Sequence, residues 1–312
     1  MNEIKGNTYL EFNPNQLQEI RKQYGYEDVN VLRKTIDSIE DWISKQNHFV
    51  VRKFDRDYIE RILMNSKGSV EKTKQKLDKL CTARLLIPEF LKNFNVKTEF
   101  DILFSMAHSG ILPKPTRGHH RVVFLQLHAD SFERFTVLYS FRYLIVMMEY
   151  LLTHDYMAGV IWLLDFRKMN YEFITRLNPM LMQKAMSIST EAYAMRLEAM
   201  YLINSSKLVS TLVAMIKQTL SDKLKSRLHV FSAPEELAGH LDLDMLPADY
   251  GGGQKTIEEL HNETFKQVSS EDHIRRMEDS EREMTNEACR TTMRFNEEVL
   301  GMPGSFKSFN VD

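Results

Sequence analysis

Four basic residues and the amphipathic helix among them are the side chains of this sequence whose types and spacing could do chemistry together. Lys223 and Arg227 are four residues apart, so a short helix would place both on one face. Lys217 belongs to the preceding helix, and Arg196 begins a strand further upstream. Near an anionic membrane surface, each such residue contributes about 1 kcal/mol of attraction. The cluster predicts a surface that binds anionic groups, and an ordinary solvated face is the alternative interpretation.

The other candidate motifs lack the spacing that catalysis or metal binding requires. A phosphate-binding loop needs a glycine directly before its lysine, where the glycine-rich stretch 251–256 has Gln254. His119 and His120 would point to opposite faces of a strand, so they do not form a metal-binding pair. Asp165 ends an apolar run, which predicts capping or pairing near the sheet edge, and no paired carboxylates accompany it. We therefore expect no metal, no cofactor and no enzymatic activity.

The composition is typical of a soluble globular protein. The 312 residues are 43% hydrophobic and 27% charged, with a formal net charge of -2, which excludes a generally basic surface for nucleic acid. The two cysteines, Cys81 and Cys289, are too few for a disulfide framework. The N-terminus has no signal-peptide core, and no apolar run approaches the roughly 20 residues of a membrane-spanning helix. We therefore expect a cytoplasmic protein.

Hydrophobic periodicity predicts a helical N-terminal part followed by alternating strands and helices. Residues 14–93 have the spacing of amphipathic helices, with Ser69 as a cap and Pro88 opening a short segment. The predicted strands further along the chain are residues 120–127, 159–166, 197–203 and 228–232. The predicted helices between them are residues 131–153, 171–193 and 206–220. This alternation predicts an α/β unit with a largely parallel sheet.

Two predicted helices have amphipathic surfaces of particular interest. Leu208, Leu212 and Ile216 give the helix at 206–220 one apolar face, of the kind that can contact lipid. Residues 270–298 are strongly charged and carry only a thin apolar stripe. That stripe favours a helix lying over the body of the protein, and a coiled-coil partner helix is the alternative.

Five segments of the chain together match one known family. They are Gly-Val-Ile-Trp-Leu-Leu-Asp at 159–165, Arg-Leu-Glu-Ala-Met-Tyr-Leu-Ile-Asn at 196–204, the stretch 220–229, Leu-Pro with Tyr-Gly-Gly at 246–252, and Gly-Met-Pro-Gly-Ser-Phe-Lys at 301–307. In this order they resemble the CRAL-TRIO lipid-binding family, in the branch of α-tocopherol transfer protein and cellular retinaldehyde-binding protein. The last segment resembles the tail of arthropod members.

The resemblance implies a domain order and a function. It implies a helical N-terminal domain at 1–95, a CRAL-TRIO lipid-binding domain at 96–262, and a C-terminal helix and tail at 263–312 that pack on the body. In that fold a mostly parallel sheet is flanked by helices, and a helical gate, similar here to residues 205–220, closes an apolar cavity. We expect a monomeric carrier that moves one small hydrophobic molecule (a tocopherol, retinoid, terpenoid or fatty acid) to or from membranes. A lipid-regulated adaptor that acts through a protein partner is the alternative.

The resemblance also bears on the basic cluster, because the tocopherol carrier of the family docks phosphatidylinositol phosphates through basic residues. Arg196, Lys223 and Arg227 match those positions, and Lys217 completes the predicted patch. Glu198 stands where the family has a second base on the same strand. An acid at this position weakens the expectation of phosphoinositide recognition.

The residues predicted to contact the ligand combine apolar character with positions that resemble the family's cavity lining. They are Tyr143, Met147, Ile161, Leu164, Ile188, Met195, Met200, Leu202, Leu212, Met215 and Ile216. Each is equally compatible with an ordinary core position. The chain has 18 methionines, whose flexible thioethers suit an adaptable cavity.

Overall fold

Helices dominate the N-terminal part of the protein. A computed structural model describes residues 6–204 and 206–291. The N-terminal helices are α1 (Gln16–Gln23), α2 (Val29–Ser44), α3 (Arg56–Asn65), α4 (Val70–Leu86) and α5 (Pro88–Leu91). Asp28, Asp55 and Ser69 each accept a hydrogen bond from a backbone N–H in the first turn of α2, α3 and α4. Pro88 opens α5, where a backbone N–H has no helical partner in any case.

The remaining helices alternate with strands. The helices are α6 (Asp101–Phe104), α7 (Val137–His154), α8 (Tyr171–Arg176), α9 (Pro179–Ser187), α10 (Val209–Thr219), α11 (Asp222–Lys225), α12 (Ile257–Val268) and α13 (Glu271–Arg282). The strands are β1 (Ala107–Ile111), β2 (His120–Leu127), β3 (Gly159–Asp165), β4 (Leu197–Ile203) and β5 (Leu228–Phe231). The four predicted strands correspond to β2–β5. β1 was not predicted, because His108, Ser109 and Gly110 leave it no apolar run.

The described strands form one mixed sheet in the order β1-β2-β3-β4-β5. β1 pairs antiparallel with β2, and each later neighbour pairs parallel. Parallel neighbours need a crossover, which α7 provides between β2 and β3, α8 and α9 between β3 and β4, and α10 and α11 between β4 and β5. The predicted α/β class, a mostly parallel sheet flanked by helices and preceded by a helical part, is confirmed.

The two faces of the sheet support separate apolar layers, because successive strand residues point to opposite sides. On one face, Val160 and Trp162 belong to a large core that continues into the N-terminal helices. On the other face, Ile161 and Leu163 join a smaller core that residues 237–260 complete. A strand buried on both faces needs a continuous apolar run, and this is why β3 reads as one in the sequence.

A buried cluster of four charged side chains ties the N-terminal helices to the rest of the protein. Arg84 of α4 donates to Glu149 of α7 and, at 2.8 Å, to Glu283. Arg276 of α13 donates to the same carboxylates, at 3.2 Å to Glu149 and 2.6 Å to Glu283. Burial acts to raise the pKa of Glu149, but Arg276 and Arg84 outweigh it and the pKa lies below its usual value. The cluster therefore holds two positive and two negative charges in the core.

Two predicted helices have other bounds in the structure. The helix expected at 131–153 begins at Val137, because Thr136 caps its first turn. The helix expected at 171–193 is divided into α8, α9 and a π-helical turn at Ile188–Ala192, since Asn178 and Pro179 start a new helix at α9. Side-chain caps thus override the hydrophobic period at both places.

The C-terminal part also departs from the prediction. The charged helix expected at 270–298 ends at Arg282, where the chain leaves the helix so that Thr285 pairs with Phe49. The predicted domain boundary after residue 262 falls inside α12, whereas the boundary after residue 95 falls between α5 and α6. The rest of the predicted charged helix and the 301–307 tail lie outside the described residues.

The segment 246–252, one of those that resemble the family, closes the smaller core and fixes Asp165. The hydroxyl of Tyr250 donates to Asp165 Oδ2 at 2.8 Å, and Arg167 lies 2.6 Å from the same oxygen. A Cβ on Gly252 would lie 2.0 Å from the carbonyl oxygen of Leu246, so only glycine fits there. Asp165 therefore pairs at the end of β3, as its place at the end of an apolar run predicts.

Candidate functional site

An apolar cavity lies between one face of the sheet and the helices α7, α9 and α10. Its volume is about 130 Å³. Small-molecule pockets enclose about 300–1,000 Å³. The cavity is therefore smaller than such pockets, so binding of a bulky ligand requires its walls to move apart.

The lining is almost entirely apolar and contains four methionines. The sheet contributes Ser109, Val123, Phe124, Leu125, Trp162, Leu164 and Met200. α7 and the residues just before it contribute Phe135, Val137, Ser140, Phe141, Leu144 and Met147. The remaining lining residues are Phe166, Phe173, Leu177, Met182, Met186, Leu212, Ile216 and Leu220. None of these residues is charged, and flexible thioethers let such a wall reshape around different molecules.

α10 separates the cavity from solvent as an amphipathic helix. Leu212 and Ile216 line the cavity and are buried, one turn apart. Lys217 and Thr211 lie on the exposed side of the same helix. α10 packs against α9, and its first turn has no side-chain cap. Because no side-chain cap fixes its N-terminus, α10 is held in place mainly by the apolar contacts of its inner face.

Three polar side chains interrupt the apolar lining. Ser109 is satisfied, since its Oγ donates to the carbonyl of Phe124 at 2.9 Å. The hydroxyl of Ser140 and the indole N–H of Trp162 are buried with no hydrogen-bond partner among the described residues. A buried polar group left unpaired costs about 1–3 kcal/mol. Both groups therefore gain from any molecule that brings them a partner.

Part of the predicted contact set meets at this cavity. Met147, Leu164, Met200, Leu212 and Ile216 all line it, from α7, β3, β4 and α10. The fold thus brings together side chains that are far apart in the chain.

Ile161, also predicted to contact the ligand, does not line the cavity. It is three residues from Leu164 on the same strand, and strand alternation puts residues at odd spacing on opposite faces. Ile161 accordingly lies in the smaller core, on the side of the sheet away from the cavity. Trp162 lines the cavity instead. It is two residues before Leu164 on β3, and strand alternation places residues at even spacing on the same face.

The other predicted contacts do not line the cavity in this structure. Tyr143 contacts the aromatic rings at the start and end of α6. Ile188 lies in the π-helical turn that packs on α4, and Met195 lines a separate polar cleft. Leu202 is fully buried in the core, and Met215 is half-buried on the flank of α10.

The polar cleft that Met195 lines is also lined by Arg196, Lys223 and Arg227, and we name it the basic cleft. Glu198 lies between the two arginines, with Oε2 3.7 Å from Arg196 and 3.8 Å from Arg227. These distances are too long for hydrogen bonds but short enough for attraction. Three of the four predicted patch residues therefore line one cleft together with Glu191, whereas Glu198 contacts its two arginines from a neighbouring depression.

Lys217 does not line the basic cleft, because it lies on the exposed side of α10. Two lysines that sequence reasoning missed lie beside the cleft instead: Lys76 and Lys79 of α4 are 3.4 and 3.0 Å from Glu191 Oε2. Burial acts to raise the pKa of Glu191, but the two lysines lower it overall. No local spacing links positions that are more than a hundred residues apart, so only the fold could reveal this pair.

His120 lies near Glu198 but does not neutralise the charge of its carboxylate. Its Nε2 lies 3.9 Å from Glu198 Oε2. Burial lowers the pKa of His120 by more than the carboxylate of Glu198 raises it. The imidazole is therefore uncharged at neutral pH, and Glu198 is balanced by the two arginines.

Two large apolar side chains are exposed on the short helices that follow β3. Tyr171 of α8 is 72% exposed and Met180 of α9 is 79% exposed. Isolated exposed apolar residues are common, but these two stand on helices that help to form the cavity wall. Among the described helices, none combines the length and hydropathy needed to cross a membrane.

Known proteins resemble this chain over the same region. The family model of the CRAL/TRIO domain matches residues 105–252, which include the whole sheet and the cavity helices. Proteins named alpha-tocopherol transfer protein-like from Homo sapiens and Pongo abelii are 23% identical over 244 residues, which cover 77% of this chain and 70% of theirs. The Mus musculus protein of that name is 22% identical over 250 residues, or 78% of this chain and 71% of its own. The crystal structure of Sfh5 is similar at a TM-score of 0.48, with 13% identity over 80% of this chain and 92% of that one. Residues 105–252 of this chain therefore match the CRAL/TRIO domain, with the sheet and the cavity helices inside the matched segment.

Proposed function

We propose that the protein is a cytoplasmic, monomeric carrier that binds one small hydrophobic molecule and transfers it to or from membranes without chemical change. The apolar cavity covered by α10 is the observation that carries this proposal. Each 100 Å² of apolar ligand surface removed from water gains about 2.5 kcal/mol. A few such patches are enough for micromolar binding.

The amphipathic character of α10 supports a route for release. A closed cavity holds its ligand until a wall opens, and Leu212 and Ile216 form the apolar face that closes this one. The same face can lie against the cavity or against a bilayer, two comparable environments for apolar side chains. The exposed Tyr171 and Met180 add apolar surface on the neighbouring helices. We therefore infer that membrane contact draws α10 outward and opens the cavity.

The carrier function is tested by lipid extraction and transfer. Mass spectrometry of the purified protein should recover a hydrophobic molecule of the tocopherol, retinoid, terpenoid or fatty-acid type at close to one per protein chain. The loaded protein should then move that molecule between donor and acceptor vesicles. Repeated recovery of no stoichiometric apolar ligand, from several sources of expression, would contradict the proposal.

The basic cleft is proposed as the part of the surface that approaches anionic lipid head groups. Arg196, Lys223 and Arg227 converge there, and Lys76 and Lys79 add positive charge nearby. Glu191 and Glu198 make the electrostatic potential of the basic cleft less positive. The cleft stays positive because the five basic residues outnumber these two acids. This arrangement supports attraction by charge rather than recognition of one phosphoinositide.

Replacing Glu198 by glutamine is expected to strengthen binding to anionic vesicles about fivefold, because removal of one acid adds about 1 kcal/mol of attraction. Vesicle co-sedimentation measures the change, at low ionic strength where surface charges are least screened. The gain should be equal for phosphatidylserine vesicles and for phosphoinositide vesicles of the same charge.

Glu258→Gln is the matched control, since Glu258 is exposed on α12, which packs at the opposite edge of the sheet. It makes the same change in net charge and should leave vesicle binding unchanged. Equal gains from both variants would show that net charge alone matters and that the basic cleft has no special role.

A further inference from the structure

Two buried polar groups in the apolar cavity restrict the kind of molecule that it takes. Trp162 is 7% exposed, and its indole N–H has no hydrogen-bond partner among the described residues. Ser140, on the α7 wall, has a buried hydroxyl that also lacks a partner there. Buried polar groups in folded proteins are nearly always paired. Each of these two groups can therefore gain a hydrogen bond from a molecule bound in the cavity.

The surrounding backbone does not supply that partner. A serine or threonine inside a helix commonly donates to the carbonyl one turn earlier. Thr153 on the same helix does so, at 2.7 Å, whereas the hydroxyl of Ser140 makes no such bond. Ser109, the third polar residue of the lining, already donates to a strand carbonyl. Ser140 and Trp162 are thus the polar groups that a ligand meets unpaired.

The chemistry of the two groups defines their complement. The indole N–H of Trp162 can only donate, while the hydroxyl of Ser140 can donate or accept. An alkane would leave both groups unpaired. A carboxylate would be buried without a counter-charge, because no lining residue is charged. The complement is an uncharged oxygen that accepts from Trp162.

We propose that Trp162 and Ser140 select a neutral, oxygen-bearing lipid, such as a long-chain alcohol or ester, and hold its oxygen inside the cavity. This inference rests on the proposed carrier function and adds the head group that the carrier prefers. It assigns to Trp162 the role of specificity-determining donor, on the strand that forms the floor of the cavity.

Four probes that share one hydrocarbon chain isolate the head group: hexadecane, cetyl alcohol, methyl palmitate and palmitate. Their partition between vesicles and the full-length protein is measured, so that differences in water solubility cancel. Cetyl alcohol and methyl palmitate should partition to the protein about tenfold better than hexadecane or palmitate. Trp162→Phe should reduce that preference about five- to tenfold and leave hexadecane unchanged, because phenylalanine keeps an aromatic ring but has no donor. Ser140→Ala should act in the same direction.

Trp42→Phe is the matched control, because Trp42 is the other tryptophan of the chain and lies on α2, outside the cavity lining. It should not change any partition ratio. In this variant the single indole proton in the NMR spectrum belongs to Trp162. That resonance should move downfield when cetyl alcohol binds and should not do so with hexadecane.

The outcomes distinguish the proposed hydrogen bonds from Trp162 and Ser140 from the proposed carrier function. If Trp162→Phe weakens hexadecane as much as cetyl alcohol, Trp162 acts by packing and the inference is overturned. Tightest binding of palmitate, or an indole proton that does not move with bound cetyl alcohol, overturns it as well. In each of these cases binding of hexadecane still supports the carrier. Failure of all four probes to bind contradicts the carrier function itself.

Discussion

Replacing Arg84 by methionine is expected to lower the free energy of unfolding by about 3–5 kcal/mol, because it removes one of the two arginines that pair with the buried carboxylates. Arg84 is 1% exposed and bridges Glu149 and Glu283, which then share only Arg276. Folded proteins are stable by about 5–15 kcal/mol in total. The change should therefore be obvious in urea denaturation followed by circular dichroism.

Arg275→Met is the control for the loss of an arginine. Arg275 is on α13 beside Arg276, but its partner Asp272 is one turn away and both side chains are more than half exposed. Exposed pairs of this kind contribute about 0.2–1 kcal/mol. A loss of similar size from both variants would show that the buried cluster has no special weight.

The double variant Arg84→Met with Glu149→Met tests charge balance in the cluster. Either single change leaves three charges that do not cancel, whereas the double change leaves Arg276 and Glu283, which already lie 2.6 Å apart. The combined loss should fall short of the sum of the single losses by more than about 1 kcal/mol. Simple additivity would mean that the four side chains do not act as a unit.

Much of the fold could be predicted because the sequence patterns of its strands and helix starts are local. Apolar runs at β2–β4 come from strands that are largely buried on both faces, and Ser69 and Pro88 mark helix starts by their own chemistry. β1 could not be predicted because an edge strand that contains Gly110 has little apolar pattern. The helix at 270–298 was drawn too long because periodicity does not register the bridge between Phe49 and Thr285, a contact between distant segments.

The site was only partly predictable, for a related reason. Apolar character alone does not distinguish a cavity wall from a core, so it selects both Ile161 and Leu164 although strand alternation puts the two on opposite faces. On α7, helical spacing back from Met147 leads to Leu144 and Ser140, which do line the cavity. Neither signal shows that the hydroxyl of Ser140 lacks a partner, because hydrogen bonding depends on the packed structure.

Replacing Leu164 by tryptophan is expected to weaken ligand binding roughly a hundredfold while the protein stays folded. Leu164 lines the cavity from β3, so an indole there would occupy space that the ligand needs. Excluding about 100 Å² of ligand surface forfeits about 2.5 kcal/mol, which is close to two powers of ten in affinity. Overpacking costs about 1–3 kcal/mol of stability. Partition of cetyl alcohol, or of the lipid that mass spectrometry recovers, measures the affinity.

The matched control is Leu86→Trp, which makes the same change on α4 at a side chain that is 41% exposed and outside the cavity. Binding should be unchanged in this variant, because no ligand space is lost. If Leu164→Trp keeps wild-type affinity, the ligand does not occupy the cavity under α10 and the proposed carrier mechanism fails. If both variants lose affinity equally, the effect comes from the added indole and not from the cavity. Only loss at Leu164 with retention at Leu86 locates the bound molecule between the sheet and α10, where the movement of that helix would control its release.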